Sequence, residues 1–174
     1  MTKTLRRLLL PALMLSTAMP AAAEWREATT ENFVIVSEGS EDQLVEFANR
    51  LESVHWLLSQ QIRVRDESRG PKVRIFLVPS IADVRRAGGF GPSSNVAGFY
   101  RPGVDGAIAV VPRSSRGIDP STVLYHEYTH HFTLQHMSVS FPPWFIEGYA
   151  EVVSNAAFNR PGQITYGGVA RHRA

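Results

Sequence analysis

The sequence predicts an α+β fold in which a small mixed sheet with an apolar edge strand packs on an amphipathic helix, followed by a helix bearing paired histidines and a helix bearing paired glutamates. Three observations carry this expectation. Strand-like and helix-like segments alternate after residue 24, the first long segment has the apolar spacing of a helix with one buried face, and the last two helical segments carry ionisable residues four apart. With 174 residues and 44% hydrophobic content, the chain can bury one ordinary core, which argues for a single domain.

The first residues are set apart from that domain. Lys3, Arg6 and Arg7 precede a short apolar run, "LLLPALMLSTA", and Ala21-Ala22-Ala23 supplies the small residues that a signal peptidase accepts. Residues 1–23 are expected to be a signal peptide, with the mature chain starting at Glu24 and residing in the periplasm or outside the cell. Pro11 and Pro20 interrupt a run that is already short for a bilayer span, so no membrane attachment is expected after cleavage.

"NFVIVS" (Asn32 to Ser37) is a compact β-rich strand. Leu44, Phe47, Ala48, Leu51, Val54 and Leu58 then fall at steps of three and four, with Ser40 as N-cap and Gly70-Pro71 as the stop. "KVRIFLV" (Lys72 to Val78) reads as a second strand, and Ser80 caps a short helix through "IADVRRA" that ends at Gly88-Gly89. The glycines of "GGFGPSSNVAGFY" lack phosphate-loop spacing and no Lys-Ser or Lys-Thr closes them, which leaves a turn-rich loop running into a short strand. "GFYRPGVDGAIAVVP" reads as a hairpin whose returning strand, Ala107 to Val111, is apolar.

Asp119, Pro120 and Ser121 open the next helix with a capping side chain and a proline whose missing N–H costs nothing in the first turn. On it lies "HEYTHHFTLQH" (His126 to His136). His126 and His130 are four apart, so their imidazoles stack on one face and two neutral nitrogens can meet one Zn²⁺ at about 2.0–2.1 Å. Glu127 lies beside that face, where it can take a proton from an attacking water and pass it to a leaving amine. The chain has no cysteine, so any metal must be held by His and carboxylate.

Two residues compete for the third ligand position. His136 matches H-E-x-x-H-x-x-G-x-x-H except that Thr133 stands where a glycine must let the backbone turn. If the helix continues, His136 lies about 240° round the axis from His130, and no methionine follows Met137 to form the turn below such a site. Glu147 is the stronger candidate: Pro142 and Pro143 can open a new helix that returns alongside the first, with Glu147 and Glu151 on one face. Two His and one Glu leave an open position, as a catalytic zinc requires. Glu151 could then accept the N–H of a ligating imidazole. His55 and His131 are read as structural, the latter about 100° away from the metal face.

"VLYHEYTHHF" followed by "PPWFIEGYAEVVS" resembles the gluzincin metallopeptidases, whose signature is HExxH and then a downstream helix of the form E-G-x-A-E. It is similar in particular to exported bacterial proteins of the peptidase MA-like group. The likeness is strongest from about Leu124 to Ser154 and weaker upstream. It implies zinc-dependent peptide-bond hydrolysis with His126, His130 and Glu147 as zinc ligands, Glu127 as acid/base and Glu151 behind a ligand. It also implies that Ala107 to Val111 is a sheet edge on which a peptide or protein substrate pairs as an extended strand.

The expected peptidase domain is therefore 24–155, with 156–174 as a short tail in place of the helical region that closes the cleft in that family. Tyr166 and His172 in this tail read as loop residues. The alternative function is an envelope interaction module, zinc-binding or metal-free, with little or no turnover. Nucleic acid is not an expected partner: without Lys3, Arg6 and Arg7 the 18 basic and 16 acidic side chains become 15 and 16, with no run of like charge.

Overall fold

In the computed structural model, residues 24–64, 70–103, 105–114, 119–139, 141–160 and 163–167 are described. The expected signal peptide and His172 lie outside these. The elements are β1 (Arg26–Thr29), β2 (Phe33–Ser37), α1 (Glu41–Ile62), β3 (Val73–Val78), α2 (Ile81–Gly88), β4 (Phe99–Arg101), β5 (Ile108–Pro112), α3 (Pro120–His136), α4 (Pro143–Ser154), β6 (Ala157–Arg160) and β7 (Gln163–Thr165). The fold is α+β. Five strands form a mixed sheet in the order β1-β2-β3-β5-β4, in which β2, β3 and β5 are parallel while β1 and β4 run antiparallel to their neighbours.

The apolar spacing of α1 does what the sequence requires of it. Leu44, Phe47, Ala48, Leu51, Val54 and Leu58 are all buried, and the Ser40 hydroxyl accepts from the Gln43 N–H at the start of the helix. The helix stops earlier than Gly70-Pro71: Arg63 adopts a left-handed conformation at φ 54° and its N–H returns to the Ser59 carbonyl. The local cap ends the helix before the glycine is reached.

The sheet has two covered faces. Phe33, Ile35, Val73, Ile75, Leu77, Ala109 and Val111 meet α1 and the Leu124, Tyr125, Tyr128 and Phe132 face of α3 in one core. On the other face Val78 and Val110 pack with Val84 of α2 and with Phe76, Val96 and Phe99. Each fully buried aliphatic or aromatic side chain contributes about 1.5–3 kcal/mol, so α3 is held to the sheet chiefly by its own apolar face.

The expected edge strand is corrected here. β5 is interior, between β3 and β4, and the edge is β4. The physical reason is visible in β5 itself: Ala109, Val110 and Val111 are all buried, so the strand is covered on both faces, as near-continuous apolar runs in parallel strands are. β4 and β5 form the expected hairpin, with β4 in the outer place. Gly98 permits this closeness, since a Cβ there would meet Val111 Cγ1 at 2.8 Å and Val123 Cγ1 at 3.1 Å.

Two elements were not expected. β1 adds an antiparallel strand at the far edge, and β6 and β7 form a hairpin in the segment read as a loop-like tail, with Phe158 packed against the main core.

Candidate metal centre

α3 begins where its sequence provides a cap: Asp119 Oδ1 accepts from the Ser121 N–H at 2.9 Å, and Pro120 fills the first turn. The helix runs unbroken through Thr133 to His136. Continuity decides the fate of His136. Its ring lies 4.4 Å from that of Phe132 and lines a separate cavity of about 330 Å³ with His55, Tyr128 and Gln135.

After the turn, α4 starts at Pro143, and the Pro142 carbonyl accepts from the Phe145 N–H at 2.9 Å. Its buried residues, Ala150, Val153 and Ser154, anchor it while Glu147 points its carboxylate back at α3. His126, His130 and Glu147 come together as the one group among the described residues able to hold a metal ion.

The distances test the fit. His126 Nε2 and His130 Nε2 are 3.1 Å apart, His126 Nε2 and Glu147 Oε2 are 3.4 Å apart, and His130 Nε2 and Glu147 Oε1 are 3.5 Å apart. Donor atoms about 2.0–2.1 Å from a tetrahedral zinc stand roughly 3.3–3.4 Å from one another. The histidine pair is close to that spacing, and with one Glu147 oxygen as the third donor the three atoms lie within 4.8 Å of one another, near enough to close on one ion. Two imidazoles and a carboxylate suit Zn²⁺ and leave its fourth position open. The Glu147 side chain is 65% exposed, so the group is reached from solvent.

Glu151, one turn after Glu147, stands on the other side of the His126 ring, with Oε2 3.8 Å from Nδ1. That is beyond a direct hydrogen bond but on the side from which a carboxylate favours a proton on Nδ1 and leaves Nε2 free as a donor. Glu127 is half-buried on α3, near enough to Tyr100 of β4 for its charge to act on the phenol. Burial first, and then the negative charge of Glu127, push the Tyr100 phenol up to about 12.

His55 and His131 stay outside the donor set. His55 Nδ1 is 2.7 Å from the Tyr128 hydroxyl, and burial holds its pKa below the usual imidazole range. His131 Nδ1 contacts the Tyr100 hydroxyl, and burial, with His136 second, pushes its ring down to about 4. Tyr166 is exposed after β7, in keeping with a loop residue.

Sequence reasoning missed Tyr100, whose hydroxyl meets His131. Tyr100 had no signal, since its approach to α3 depends on strand order. No protein-family model and no curated protein matches the chain.

Proposed function

We propose that the chain is a zinc-dependent peptidase of gluzincin type that acts after export. One observation carries the reading: two imidazole nitrogens 3.1 Å apart on α3 each meet a different oxygen of the Glu147 carboxylate on α4, at 3.4 and 3.5 Å, with Glu127 next to His126 in sequence. Export rests on the basic and apolar character of residues 1–23.

His126, His130 and Glu147 would hold the ion, and α3 and α4 fix their spacing before it binds. When bound, Zn²⁺ would polarise the scissile carbonyl and acidify the attacking water. Glu127 would take the proton from that water and deliver it to the leaving amine nitrogen. Glu151 would keep the His126 ring turned with Nε2 inward. The substrate would pair as an extended strand with β4, the edge beside Glu127.

The test is Glu127→Gln. It should keep one zinc per chain and lose hydrolysis of a casein or mixed-peptide substrate by about 10²–10⁴-fold, the span that general acid–base catalysis commonly provides. Equal hydrolysis by the variant would remove Glu127 from the reaction. If wild-type and variant proteins both bind zinc and neither cleaves, the chain is a zinc-binding envelope module.

A further inference from the structure

The face of the sheet that carries α2 is covered only in part. Val84 of α2 packs with Phe76, Val78, Val110 and Phe99, while the next row on the same face lies open. There the pairing register sets Arg74 of β3, Ile108 of β5 and Arg101 of β4 side by side. Both arginines are exposed, and Ile108 is 43% exposed. Paired strands lie about 4.7–4.9 Å apart, so a strand joining the outer side of β4 would extend this row beside Arg101, with Arg74 two strands further in.

Arg101 is held in place. Its guanidinium carbon lies 4.9 Å from the centre of the Phe99 ring and 6.0 Å from that of Phe90, and the two rings meet edge-on at 5.6 Å. Nη2 donates to the Gly88 carbonyl at 2.9 Å. That bond uses one N–H of the five that a guanidinium carries. Among the described residues Arg101 makes no ion pair: Asp83 on α2 is taken by Arg86 at 2.8 Å, and Asp105, in the turn after β4, forms none. A positioned, unpaired cation on a strand edge loses little side-chain freedom when a carboxylate meets it.

Strand alternation fixes where that carboxylate would stand. Tyr100 points to the opposite face of the sheet, where its hydroxyl meets His131 on the helix of the donor set. A substrate strand alternates in the same way, so its residue opposite Tyr100 faces α3 and the neighbour opposite Arg101 faces the open side. An Asp or Glu at that neighbour would accept from the unspent guanidinium N–H groups, whereas a Lys or Arg would meet a like charge.

We propose that Arg101 is a specificity-determining residue that selects substrates with an acidic side chain one position from the residue facing α3. This rests on the peptidase reading above, with β4 as the edge that the substrate joins.

The test separates recognition from turnover. Dansyl-labelled peptides of valine and threonine, with amidated C-termini, carry a single Glu at each position in turn, beside Gln and Lys counterparts. They are titrated into the full chain bearing Glu127→Gln, incubated with zinc, alone and combined with Arg101→Gln, Arg101→Lys or Arg74→Gln. All of these arginine substitutions fall on exposed residues, and thermal melts check that the fold is kept. At one position the Glu peptide should bind about fivefold more tightly than its Gln counterpart, and the Lys peptide more weakly than either. Sodium chloride at about 1 M should shrink the preference, a readout that needs no variant. Arg101→Gln should erase it, Arg101→Lys should keep part of it, and Arg74→Gln, which removes the same charge two strands away, should leave it in place.

Equal affinities for the Glu, Gln and Lys peptides would reduce Arg101 to a charge that guards the strand edge, and would overturn the proposal. So would a preference untouched by Arg101→Gln, or one lost equally in Arg74→Gln, which would belong to the field of the whole face. The same peptides given to wild-type protein report on the reading beneath. An Arg101-dependent preference in binding without cleavage keeps the acidic recognition and removes the peptidase. Cleavage at rates indifferent to the acidic residue keeps the peptidase and removes the role of Arg101, and neither binding nor cleavage of any peptide removes both.

Discussion

Tyr100 on edge strand β4 and His131 on α3 are joined by a hydrogen bond between the phenol oxygen and Nδ1. It ties the exposed edge of the sheet to the helix that carries two of the three donors, one turn beyond Glu127. Burial pushes the phenol up to about 12 and the imidazole down to about 4, so both partners are neutral at neutral pH and the imidazole tautomer sets which of them donates.

Tyr100→Phe removes the hydroxyl and leaves the half-buried Nδ1 of His131 without this partner. Urea unfolding should register a loss of about 1–2 kcal/mol. Zinc content should be unchanged, while KM for peptide should rise more than kcat falls, because the strand edge loosens and the donor set does not. Loss of zinc instead would place the strand among the supports of the metal group.

Ala150 transmits packing to the site. It is fully buried on α4, one turn from Glu147. Ala150→Leu should cost about 1–3 kcal/mol by overpacking, and should weaken zinc binding by moving the Glu147 carboxylate off the histidine pair. Val152→Ala, on the exposed side of the same helix, should leave stability within about 0.5 kcal/mol and zinc affinity as in wild type. Equal effects from the two would mean that α4 is not held in place by its packed face.

Acid should destabilise the fold in two steps. Burial, reinforced by His136 and opposed by Glu52 and Glu31, holds His55 below its ordinary 6.5. The unfolded chain therefore takes up a proton near pH 6.5 that the folded chain refuses, and stability falls as pH drops through that value. Glu52 follows lower down. Burial alone would raise its pKa, but hydrogen bonds from Thr30 and from the backbone and side chain of Asn32 outweigh it and hold the carboxyl below its ordinary 4.5. Its contribution is present in full above pH 4.5 and is lost as pH falls through the lowered folded value. Urea unfolding from pH 8 to 4 in the presence of EDTA, which keeps metal binding out of the result, should show both declines. His131, pushed down to about 4 in the folded chain, adds to the upper decline in the same sense, so His55→Gln should reduce that decline without abolishing it, and Glu52→Gln should flatten the lower one.

What the sequence made legible was local. The α1 stripe from Leu44 to Leu58, the caps at Ser40, Ser80 and Asp119, and the prolines opening α4 each announce themselves within a few residues, because capping and periodicity are short-range physics. His126 and His130 share that advantage, being four apart on one helix, and a return of α4 alongside α3 was enough to bring Glu147 to them.

The rest depended on long-range pairing. Nothing in Ala107 to Val111 names the neighbour outside it, and only the structure, which buries Ala109, Val110 and Val111, shows the strand covered on both faces and interior to the sheet. β1 and the β6–β7 hairpin are short strands with little alternation, stabilised by partners that the local sequence does not name. The Tyr100–His131 contact follows from strand order and was out of reach for the same reason.

The central claim is the donor set, and metal analysis tests it most directly. Purified wild-type, Glu147→Ala and His136→Ala chains would be loaded with zinc, dialysed against a weak chelator and analysed by mass spectrometry for metal per chain. The expected result is one zinc in wild type, the same in His136→Ala, and a marked loss in Glu147→Ala. Zinc that survives the loss of Glu147, or that leaves with His136, would contradict the site as assigned.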